Sequence, residues 1–425
     1  MRLPFFYGWA IVAVTFLSAL LIDGTVLYGF AFFVIPMTKS LDVSRGAFSV
    51  VTVLPVLFLP LVPFLGRLVD KRSGPRLLMA VGALATGLVF IATSAVQSFW
   101  QFILVFGVLG SLVITVAEGG WALQPALISK WFIRKRGRAM ALGMMGISAG
   151  GFTVAPLIGW LVGAFDWRTA WAVLGIAIIL LVATPSALLV RRSPEDVGLA
   201  PDGDPPSHPM TQGTDDRVNL TRHDDEYPWT PRQALRTRAF WLILGAWTLG
   251  FFGIGSVVIH QVAYAQDKGF SLETATGMAT LFAACAFATR LPWGLASERV
   301  HVRWLVPLCI VPAGLAVAML VRVQDVPMLY TYAAVAGLSI GGVPMLMSMA
   351  WAVYFGRQHQ GAILGVASPI GNGIAMVGPL FAGWMWDLTG SYDAPFTIVA
   401  VGMVGAGLLM LLARPPRVPE QVTGP

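Results

Sequence analysis

Charged residues are scarce in this chain of 425 residues. Lys, Arg, Asp and Glu together make up 12% of the sequence, whereas hydrophobic residues make up 56%. Average soluble domains carry about twice that share of charge, because their surfaces must interact with water. The shortage excludes an ordinary soluble fold and indicates a membrane protein.

Cysteine is nearly absent as well. The chain has only Cys285 and Cys309, which fall in different apolar runs. This excludes a secreted disulfide framework and a cysteine-based metal site. The sequence also lacks a phosphate-binding loop, a nucleophile motif and a metal-ligand cluster, which argues against an enzyme and against ATP-driven pumping. We expect no cofactor, no metal ion and no nucleic-acid partner.

Long apolar runs are what the sequence has in abundance. Twelve of them reach the length of about 18 residues or more that a membrane helix needs, and they are continuous, unlike alternating barrel strands. We number them spans 1 to 12, at residues 9–35, 47–66, 77–96, 102–129, 139–164, 169–190, 240–265, 272–296, 304–321, 328–354, 362–386 and 394–413. The predicted fold class is an all-α integral membrane protein with twelve transmembrane helices.

Basic residues predict the orientation of the chain. When they are sorted by loop, 22 of the 28 Lys and Arg residues lie on one side and five on the other, which leaves only Arg290 inside a span. By the positive-inside rule, both termini are predicted to be cytoplasmic. We expect a multi-pass protein of a bacterial inner membrane.

The sequence consists of two related halves. A polar, Pro-rich segment at 191–238 is predicted to be a cytoplasmic linker between six-helix bundles at 1–190 and 239–413, with a cytoplasmic tail at 414–425. Gly66-x-x-x-Asp70 recurs as Gly294-x-x-x-Glu298 at an offset of 228, and Trp131-Phe132 recurs as Tyr354-Phe355 at an offset of 223. Paired six-helix repeats suit alternating access, with the substrate site at the midplane.

The stretch from Gly66 to Arg76 (GRLVDKRSGPR) resembles the loop motif between helices 2 and 3 of the major facilitator superfamily, and Gly294 to Arg299 resembles its second copy. The resemblance covers nearly the whole chain and implies a transporter that works as a monomer. It implies a gating role at the cytoplasmic side for four residues, Gly66, Arg67, Asp70 and Glu298. The plain alternative is that these loop charges only set the topology.

Within that superfamily, Tyr7-Gly8-Trp9, Asp23-Gly24, Tyr28-Gly29-Phe30 and Ser44-Arg45 resemble the first helix and loop of monocarboxylate and oxalate/formate type transporters. Carriers of that group place a substrate-binding Arg where this chain has Arg290. The chain departs from them at Ala286, where animal members have an Asp, and in span 11, which offers Asn372 and no Lys. A single cationic site suits a monoanion better than a dianion.

Arg290 is the residue on which the functional prediction depends. A lone guanidinium at mid-bilayer costs at least about 2.5–3.5 kcal/mol, so such residues usually face an aqueous cavity and bind an anion or a buried acid. Asp23 and Glu118 lie at comparable depth in spans 1 and 4 and could share that cavity. Either acid, with Glu118 preferred, could couple transport to a proton. The alternative is a permanent ion pair that only neutralises buried charge.

Further side chains at similar depth are predicted to contact the substrate or, alternatively, only to pack: Tyr28, Trp121, Gln124, Tyr332, Trp351 and Asn372. Trp121 follows Glu118 by three residues, so the two are expected on one helical face. His260, near the external end of span 7, is a gate candidate or a mouth-facing residue with an ordinary hydrogen bond.

The sequence therefore predicts a secondary active transporter of small monocarboxylates, lactate-like or pyruvate-like, that works by proton symport. The alternatives are an organic-anion antiporter of the oxalate/formate type, or an exporter of a larger acidic compound. A non-transporting sensor is disfavoured, because the linker and the tail are too short and polar to form a signalling domain. The expected partners are a small carboxylate, a proton and the lipid bilayer.

Overall fold

The structure is a computed structural model that describes residues 6–43, 48, 50–52, 54–203 and 227–417. Within these ranges every regular element is helical and no strand occurs. Eleven helices of the described chain are long and apolar enough to cross a membrane, and the shorter apolar helix Leu54–Val69 lies where span 2 is predicted. The all-helical membrane fold is confirmed, and the twelfth crossing depends on that shorter helix.

Three predicted features fall partly or wholly outside the described residues. They are the Ser44-Arg45 pair, residues 204–226 of the linker and residues 418–425 of the tail.

The chain divides into two compact units. Unit 1 comprises Met1–Asp215 with Leu364–Pro369, and unit 2 comprises Asp216–Ile363 with Ile370–Pro425. The α-helices of unit 1 are Gly8–Ser18, Ala31–Ser40, Val62–Val69, Gly74–Ser94, Phe99–Phe102, Ser111–Ala117, Leu123–Trp131, Arg136–Ala164, Trp167–Ile178 and Thr184–Leu189. It also has π-helical turns at Ala19–Asp23, Thr25–Gly29, Ile103–Gly110 and Ile179–Ala183, and 3-10 segments at Val50–Thr52, Leu54–Leu61, Pro194–Val197 and Pro201–Gly203.

Unit 2 begins with the short helix Pro231–Leu235, whose first turn is closed by a capping box between Thr230 and Gln233. Its longer helices are Arg238–Asp267, Leu272–Ala296, Val302–Val321, Val326–Ile340, Val343–Phe355, most of Gln360–Ala375, Val377–Thr389 and Asp393–Leu412. Side-chain caps at several N-termini satisfy backbone N–H groups that would otherwise lack acceptors, as at Asp325, whose carboxylate accepts from the N–H of Met328 at 2.8 Å.

Aromatic rings fill the core of unit 1. Phe33 of span 1 stacks on Trp171 of span 6 with centroids 4.2 Å apart, and Phe90 of span 3 meets the same indole edge-on at 4.8 Å. Phe102 and Phe106 of span 4 extend the cluster. Stacked and edge-on pairs add about 0.5–1.5 kcal/mol each beyond burial. The cluster therefore joins spans 1, 3, 4 and 6.

Spans 1 and 5 approach each other at glycines. A Cβ placed on Gly150 would lie 2.5 Å from the Cα of Gly24 and 2.7 Å from the carbonyl oxygen of Leu20. A Cβ on Gly146 would collide with the carbonyl oxygen of Phe16. Small residues allow membrane helices to bring their backbones into contact. The π-helical turn that carries Asp23 is thus fixed against span 5.

The core of unit 2 also contains predicted site residues. Trp351 of span 10 packs against Phe240 and Trp247 of span 7, with centroids 5.2 and 5.8 Å away, and is fully buried. Tyr332 is fully buried too, and its hydroxyl donates to Oε1 of Gln261 at 2.8 Å. Span 10 is anchored to span 7 by these contacts.

Span 4 is not the continuous helix that the sequence predicts. The chain leaves helical geometry after Ala117 and resumes it at Leu123. Between them, Gly119-Gly120-Trp121 has φ angles of +56°, +65° and +66°, in the left-handed region that an α-helix of L-residues does not contain. The two glycines adopt this geometry without steric cost. Glu118 and Trp121 therefore do not share a helical face, and that prediction is wrong.

The beginning of the predicted linker packs on unit 1. The carboxylate of Asp202 is buried and accepts hydrogen bonds from the backbone N–H groups of residues 133–135 at 2.8–3.0 Å. The indole of Trp131 donates to the carbonyl of Arg191 at 3.0 Å. Residues 191–203 are therefore an ordered part of unit 1.

Candidate functional site

Unit 1 contains a cavity of about 400 Å³ lined by residues of spans 1, 2, 4 and 5. Its walls are mostly apolar, and its polar lining residues are Asp23, Ser111, Thr115 and Glu118. Small-molecule sites typically have this size and combine apolar walls with a few polar groups. The cavity is therefore the candidate functional site of unit 1.

Asp23 and Glu118 meet at this cavity, and we call them the carboxyl pair. Asp23 lies in span 1 and Glu118 follows the helix Ser111–Ala117 of span 4, and both residues line the cavity. Glu118 is only 8% exposed. Two residues predicted from the sequence are thus brought together, although their role in proton coupling stays a prediction. Gln124 lies in the helix Leu123–Trp131 and is half-buried, and its predicted substrate contact stays a prediction as well.

Trp121 lines the same cavity and is 36% exposed. A positive φ at a bulky residue is a genuine outlier, with a cost of about 1–3 kcal/mol that the surrounding structure must offset. Val62 of span 2 packs against the neighbouring Gly120, so span 2 supports the unusual turn. Backbone outliers cluster at functional sites, which favours ligand contact over plain packing for Trp121.

Tyr28 is placed differently from the carboxyl pair. It is 39% exposed, and its ring packs over Gly151 of span 5, where a Cβ would lie 3.3 Å from the ring. Among the described residues, it is not part of the lining of the 400 Å³ cavity. Its predicted substrate contact stays a prediction.

Asp70, at the end of the helix Val62–Val69, forms an ion pair with Lys130 of the helix Leu123–Trp131. Nζ of Lys130 lies 2.7 Å from Oδ1 of Asp70, with side chains that are 6% and 11% exposed. Within the helix Val62–Val69, Gly66 is buried, whereas Arg67 is exposed. In the sequence, Lys130 is one of the 22 basic residues that predict the orientation, and nothing there identified it as the partner of Asp70. Its position at the end of span 4, before the basic residues of 134–138, is the signal that it differs from the other charges of this loop.

In unit 2, Arg290 lies within the helix Leu272–Ala296, one turn before Gly294, and is half-buried. The preceding turn contains Thr289, whose hydroxyl donates to the carbonyl of Cys285 at 2.9 Å. Glu298 follows the helix and is half-buried as well. Since Arg290 and the carboxyl pair belong to different units, the cavity predicted to join them stays a prediction.

The remaining predicted contacts of unit 2 differ in burial. Asn372 is half-buried in the helix Gln360–Ala375. Tyr332 and Trp351 are fully enclosed by the core described above, and this placement favours packing for both. Residue counting gave their depth in the span but not the direction in which their side chains point.

His260 has hydrogen bonds on both ring nitrogens. Nε2 lies 3.0 Å from the carbonyl oxygen of Pro379, and Nδ1 lies 3.1 Å from the hydroxyl of Tyr392. Because a carbonyl only accepts, Nε2 carries the proton, and in the neutral ring Nδ1 accepts from the tyrosine. Burial, followed by the charges of Asp267 and Asp387, raises the pKa of the Tyr392 hydroxyl, so it remains a donor. His260 thus joins spans 7 and 11 to the start of span 12.

Spans 4 and 10 are interrupted at matching places. The interruption of span 10 lies at Gly341-Gly342, between Val326–Ile340 and Val343–Phe355. At the offset of 223, Gly342 corresponds to Gly119 of span 4. Glycine-interrupted membrane helices at corresponding positions of two halves are a pointer to a transport site.

Comparison with known proteins gives a consistent result for the whole chain. The model of the Major Facilitator Superfamily matches residues 12–279 and 253–424. Monocarboxylate transporter 12 of Rattus norvegicus is 25% identical over 427 residues, covering 96% of this chain and 85% of the relative. Monocarboxylate transporter 2 of Homo sapiens is 24% identical over 360 residues, covering 81% of this chain and 72% of the relative.

Solved structures agree in fold. The human organic anion transporter MFSD10 (TETRAN) aligns with a TM-score of 0.68 at 17% identity, over 96% of this chain and all of that one. The Major Facilitator Superfamily transporter FucP, in the outward conformation, aligns with a TM-score of 0.69 at 12% identity, over 96% of this chain and 98% of FucP.

Proposed function

We propose that this chain, which belongs to the major facilitator superfamily, transports a small monocarboxylate of the lactate or pyruvate type. The anion would move together with a proton, by alternating access. Two sequence relatives are named monocarboxylate transporters, at 24–25% identity. That similarity supports the substrate class.

Arg290 is the observation that carries the proposal. It is the one Lys or Arg of the sequence inside a predicted span, and it lies within a membrane-length helix, one turn before Gly294. A guanidinium in such a place binds a carboxylate through a charge-assisted, two-pronged hydrogen bond that lysine cannot reproduce. One such residue suits a substrate with one carboxylate.

The carboxyl pair supports proton coupling. A carboxylic acid in an apolar cavity exchanges its proton when its surroundings change between two states. A proton that enters with the anion offsets the anion's charge, so the loaded carrier crosses between its two conformations without moving net charge.

The proposal includes the membrane and the orientation. We place the protein in a bacterial inner membrane. Both termini are placed in the cytoplasm, because 22 of the 28 basic residues lie on the side of the termini.

The test is uptake of labelled short monocarboxylates into proteoliposomes, with and without an inward proton gradient. We expect gradient-stimulated uptake by the wild type, its loss in Arg290→Ala, and a reduction of at least about tenfold in Arg290→Lys, because the fork geometry is lost. Arg299→Lys, at an exposed position just after the same helix, is the matched control and should leave uptake unchanged.

Full uptake by Arg290→Lys would remove the binding role of Arg290. If uptake depended on a counter-substrate inside the vesicles and not on the gradient, the protein would be an antiporter. If no monocarboxylate were transported, the proposed substrate class would be wrong.

A further inference from the structure

We propose that an anionic phospholipid binds at the predicted cytoplasmic end of unit 2, where the side chains of Arg238 and Arg414 hold its phosphate group. The site belongs to unit 2, whereas the carboxyl pair belongs to unit 1. The inference goes beyond the proposed transport and does not depend on which substrate the protein moves.

A cavity of about 390 Å³ lies where span 7 begins and span 12 ends. Its described lining residues are Ala239, Leu242, Leu412 and two arginines, Arg238 and Arg414. Arg238 is the first residue of the helix Arg238–Asp267, and Arg414 lies two residues after the helix Asp393–Leu412. The two helices pack against each other. Basic pockets between membrane helices on the cytoplasmic side are typical sites for lipid head groups.

The arginines at this end of unit 2 have no acidic neighbours along the chain. Residues 227–266, 302–324 and 394–417, which contain spans 7, 9 and 12, include no Asp or Glu. Six arginines lie at the end of these spans that is predicted to be cytoplasmic: Arg232, Arg236, Arg238, Arg303, Arg414 and Arg417. A surface with charges of one sign concentrates ions of the other sign, so this end of unit 2 attracts anions.

Arg303 shows how the protein itself uses one of these arginines. Its Nε donates to the carbonyl oxygen of Leu411 at 2.8 Å, and the hydroxyl of Tyr354 donates to the carbonyl oxygen of Ala413 at 2.7 Å. These contacts satisfy carbonyl groups at the C-terminal end of span 12, where the helix has a partial negative charge. The negative end of span 12 is therefore neutralised without the two arginines of the cavity.

The two arginines of the cavity are placed to bind something else. The side chains of Arg238 and Arg414 are exposed, and within the described ranges neither makes a hydrogen bond or an ion pair with another residue. A guanidinium forms charge-assisted, two-pronged hydrogen bonds with phosphate oxygens. Two such groups from neighbouring helices can bind one phosphate together.

Exposed aromatic and aliphatic side chains indicate that the phosphate belongs to a lipid. Trp241, one turn after Arg238, and Trp304 at the start of span 9 are both exposed. Tryptophans at the ends of membrane helices lie at the level of the lipid head groups. Leu408 and Leu412, one turn apart in span 12, are exposed as well. They offer an apolar surface to acyl chains, which a soluble phosphate does not have.

Native mass spectrometry of the purified full-length protein in detergent tests the site. The protein is titrated with phosphatidylglycerol and, separately, with phosphatidylcholine that has the same acyl chains. We expect phosphatidylglycerol to bind more tightly, because its head group carries a net negative charge. An arginine near an anionic lipid contributes the equivalent of about fivefold in affinity. Arg238→Gln and Arg414→Gln should therefore each weaken phosphatidylglycerol binding about fivefold, and the double variant about 25-fold.

Arg236→Gln is the matched control. Arg236 is exposed and lies two residues before Arg238, but it is not among the described lining residues of the cavity. The substitution removes the same charge from the same end of unit 2. It should leave the affinity for phosphatidylglycerol unchanged.

Thermal unfolding gives a second readout. A ligand that binds only the folded state raises the thermal midpoint, so phosphatidylglycerol should raise that of the wild type and not that of Arg238→Gln/Arg414→Gln. Without lipid, the two proteins should unfold at the same temperature, because both substitutions lie at exposed positions. Inorganic phosphate alone should leave both midpoints unchanged.

Three results would overturn the proposal. Equal affinity for the two lipids would mean that the site does not recognise the charge of the head group. An equal loss of affinity in Arg236→Gln and Arg238→Gln would mean a diffuse attraction without a site. Stabilisation by inorganic phosphate as large as that by phosphatidylglycerol would mean a site for a soluble anion. Monocarboxylate uptake enters none of these measurements, so the proposed transport stands or fails independently.

Discussion

The contact between spans 1 and 5 can be tested with a pair of matched substitutions in one helix. Gly150 and Gly163 both lie in the helix Arg136–Ala164. A Cβ on Gly150 would come within 2.5 Å of the Cα of Gly24, whereas a Cβ on Gly163 would meet nothing within 4 Å. Alanine at either position has a higher helix propensity than glycine, by up to about 1 kcal/mol.

Both variants share most of that gain in helix propensity. The difference between their free energies of unfolding therefore reports mainly the cost of the collision. Overpacking of a tightly packed contact costs about 1–3 kcal/mol. The atoms that Gly150→Ala would strike belong to the backbones of Gly24 and Leu20, which cannot rotate away as a side chain can. We therefore expect Gly150→Ala to be less stable than Gly163→Ala by about 2–3 kcal/mol, near the upper end of that range.

Thermal unfolding in detergent, followed by circular dichroism, measures this difference, and Gly24→Ala tests the same contact from span 1. Its Cβ would lie 2.7 Å from the Cα of Gly150, so it should lower the thermal midpoint as well. The effects of the two substitutions should not add, because both separate the same two backbones. Equal midpoints for Gly150→Ala and Gly163→Ala would refute the close contact.

Two further predictions concern the loops. Lys130→Met should destabilise the protein by about 3–5 kcal/mol, because it removes the ammonium group 2.7 Å from a carboxylate whose side chain is only 11% exposed. Denaturant unfolding of the single variants and of Asp70→Asn/Lys130→Met should show that the double variant recovers part of the loss. His301 caps the helix Val302–Val321 by accepting the N–H of Arg303 at 3.1 Å, and burial, followed by the charge of Arg303, lowers the pKa of its imidazole. The cap therefore stabilises the fold above about pH 6.5, and this stabilisation is lost as the pH falls through the lowered pKa. In acid, the thermal midpoint of the wild type should fall below that of His301→Asn. If the midpoints of the two proteins changed in parallel with pH, this prediction would be contradicted.

The helices were predictable because each one is a continuous apolar run, and a chain in lipid must satisfy its own backbone hydrogen bonds. A glycine in an apolar run did not show from the sequence whether it packs two helices together or ends a helix. Gly24 has a helical φ of −59° and provides close packing, whereas Gly119 has a φ of +56° and ends a helix. Both lie in apolar runs, so only the structure separates the two uses. The left-handed Trp121 follows from the second use and could not be foreseen.

Depth along a span was predictable, and direction was not. Counting residues placed Asp23 and Glu118 at a common level, and the structure brings both to one cavity. The same counting placed Trp351 and Tyr332 at a suitable depth, yet both side chains are buried in the core of unit 2. A helix turns about 100° per residue, so a small error in its rotation exchanges the cavity face for the core face.

The repeat between the two halves contains information that a search for matching residues overlooks, because the informative positions are those that differ. At the offset of 228, Arg290 of span 8 corresponds to Val62 of span 2, and at the offset of 223, Glu118 of span 4 corresponds to Gly341 of span 10. The cation thus occurs in one half alone, and so does the acid. Two identical bundles would carry the same charged groups in both halves of the chain. An anion moved with a proton instead needs a cation and a titrating acid as separate groups. Positions at which a repeat keeps its fold and changes its charge are therefore where we expect the transport chemistry to lie.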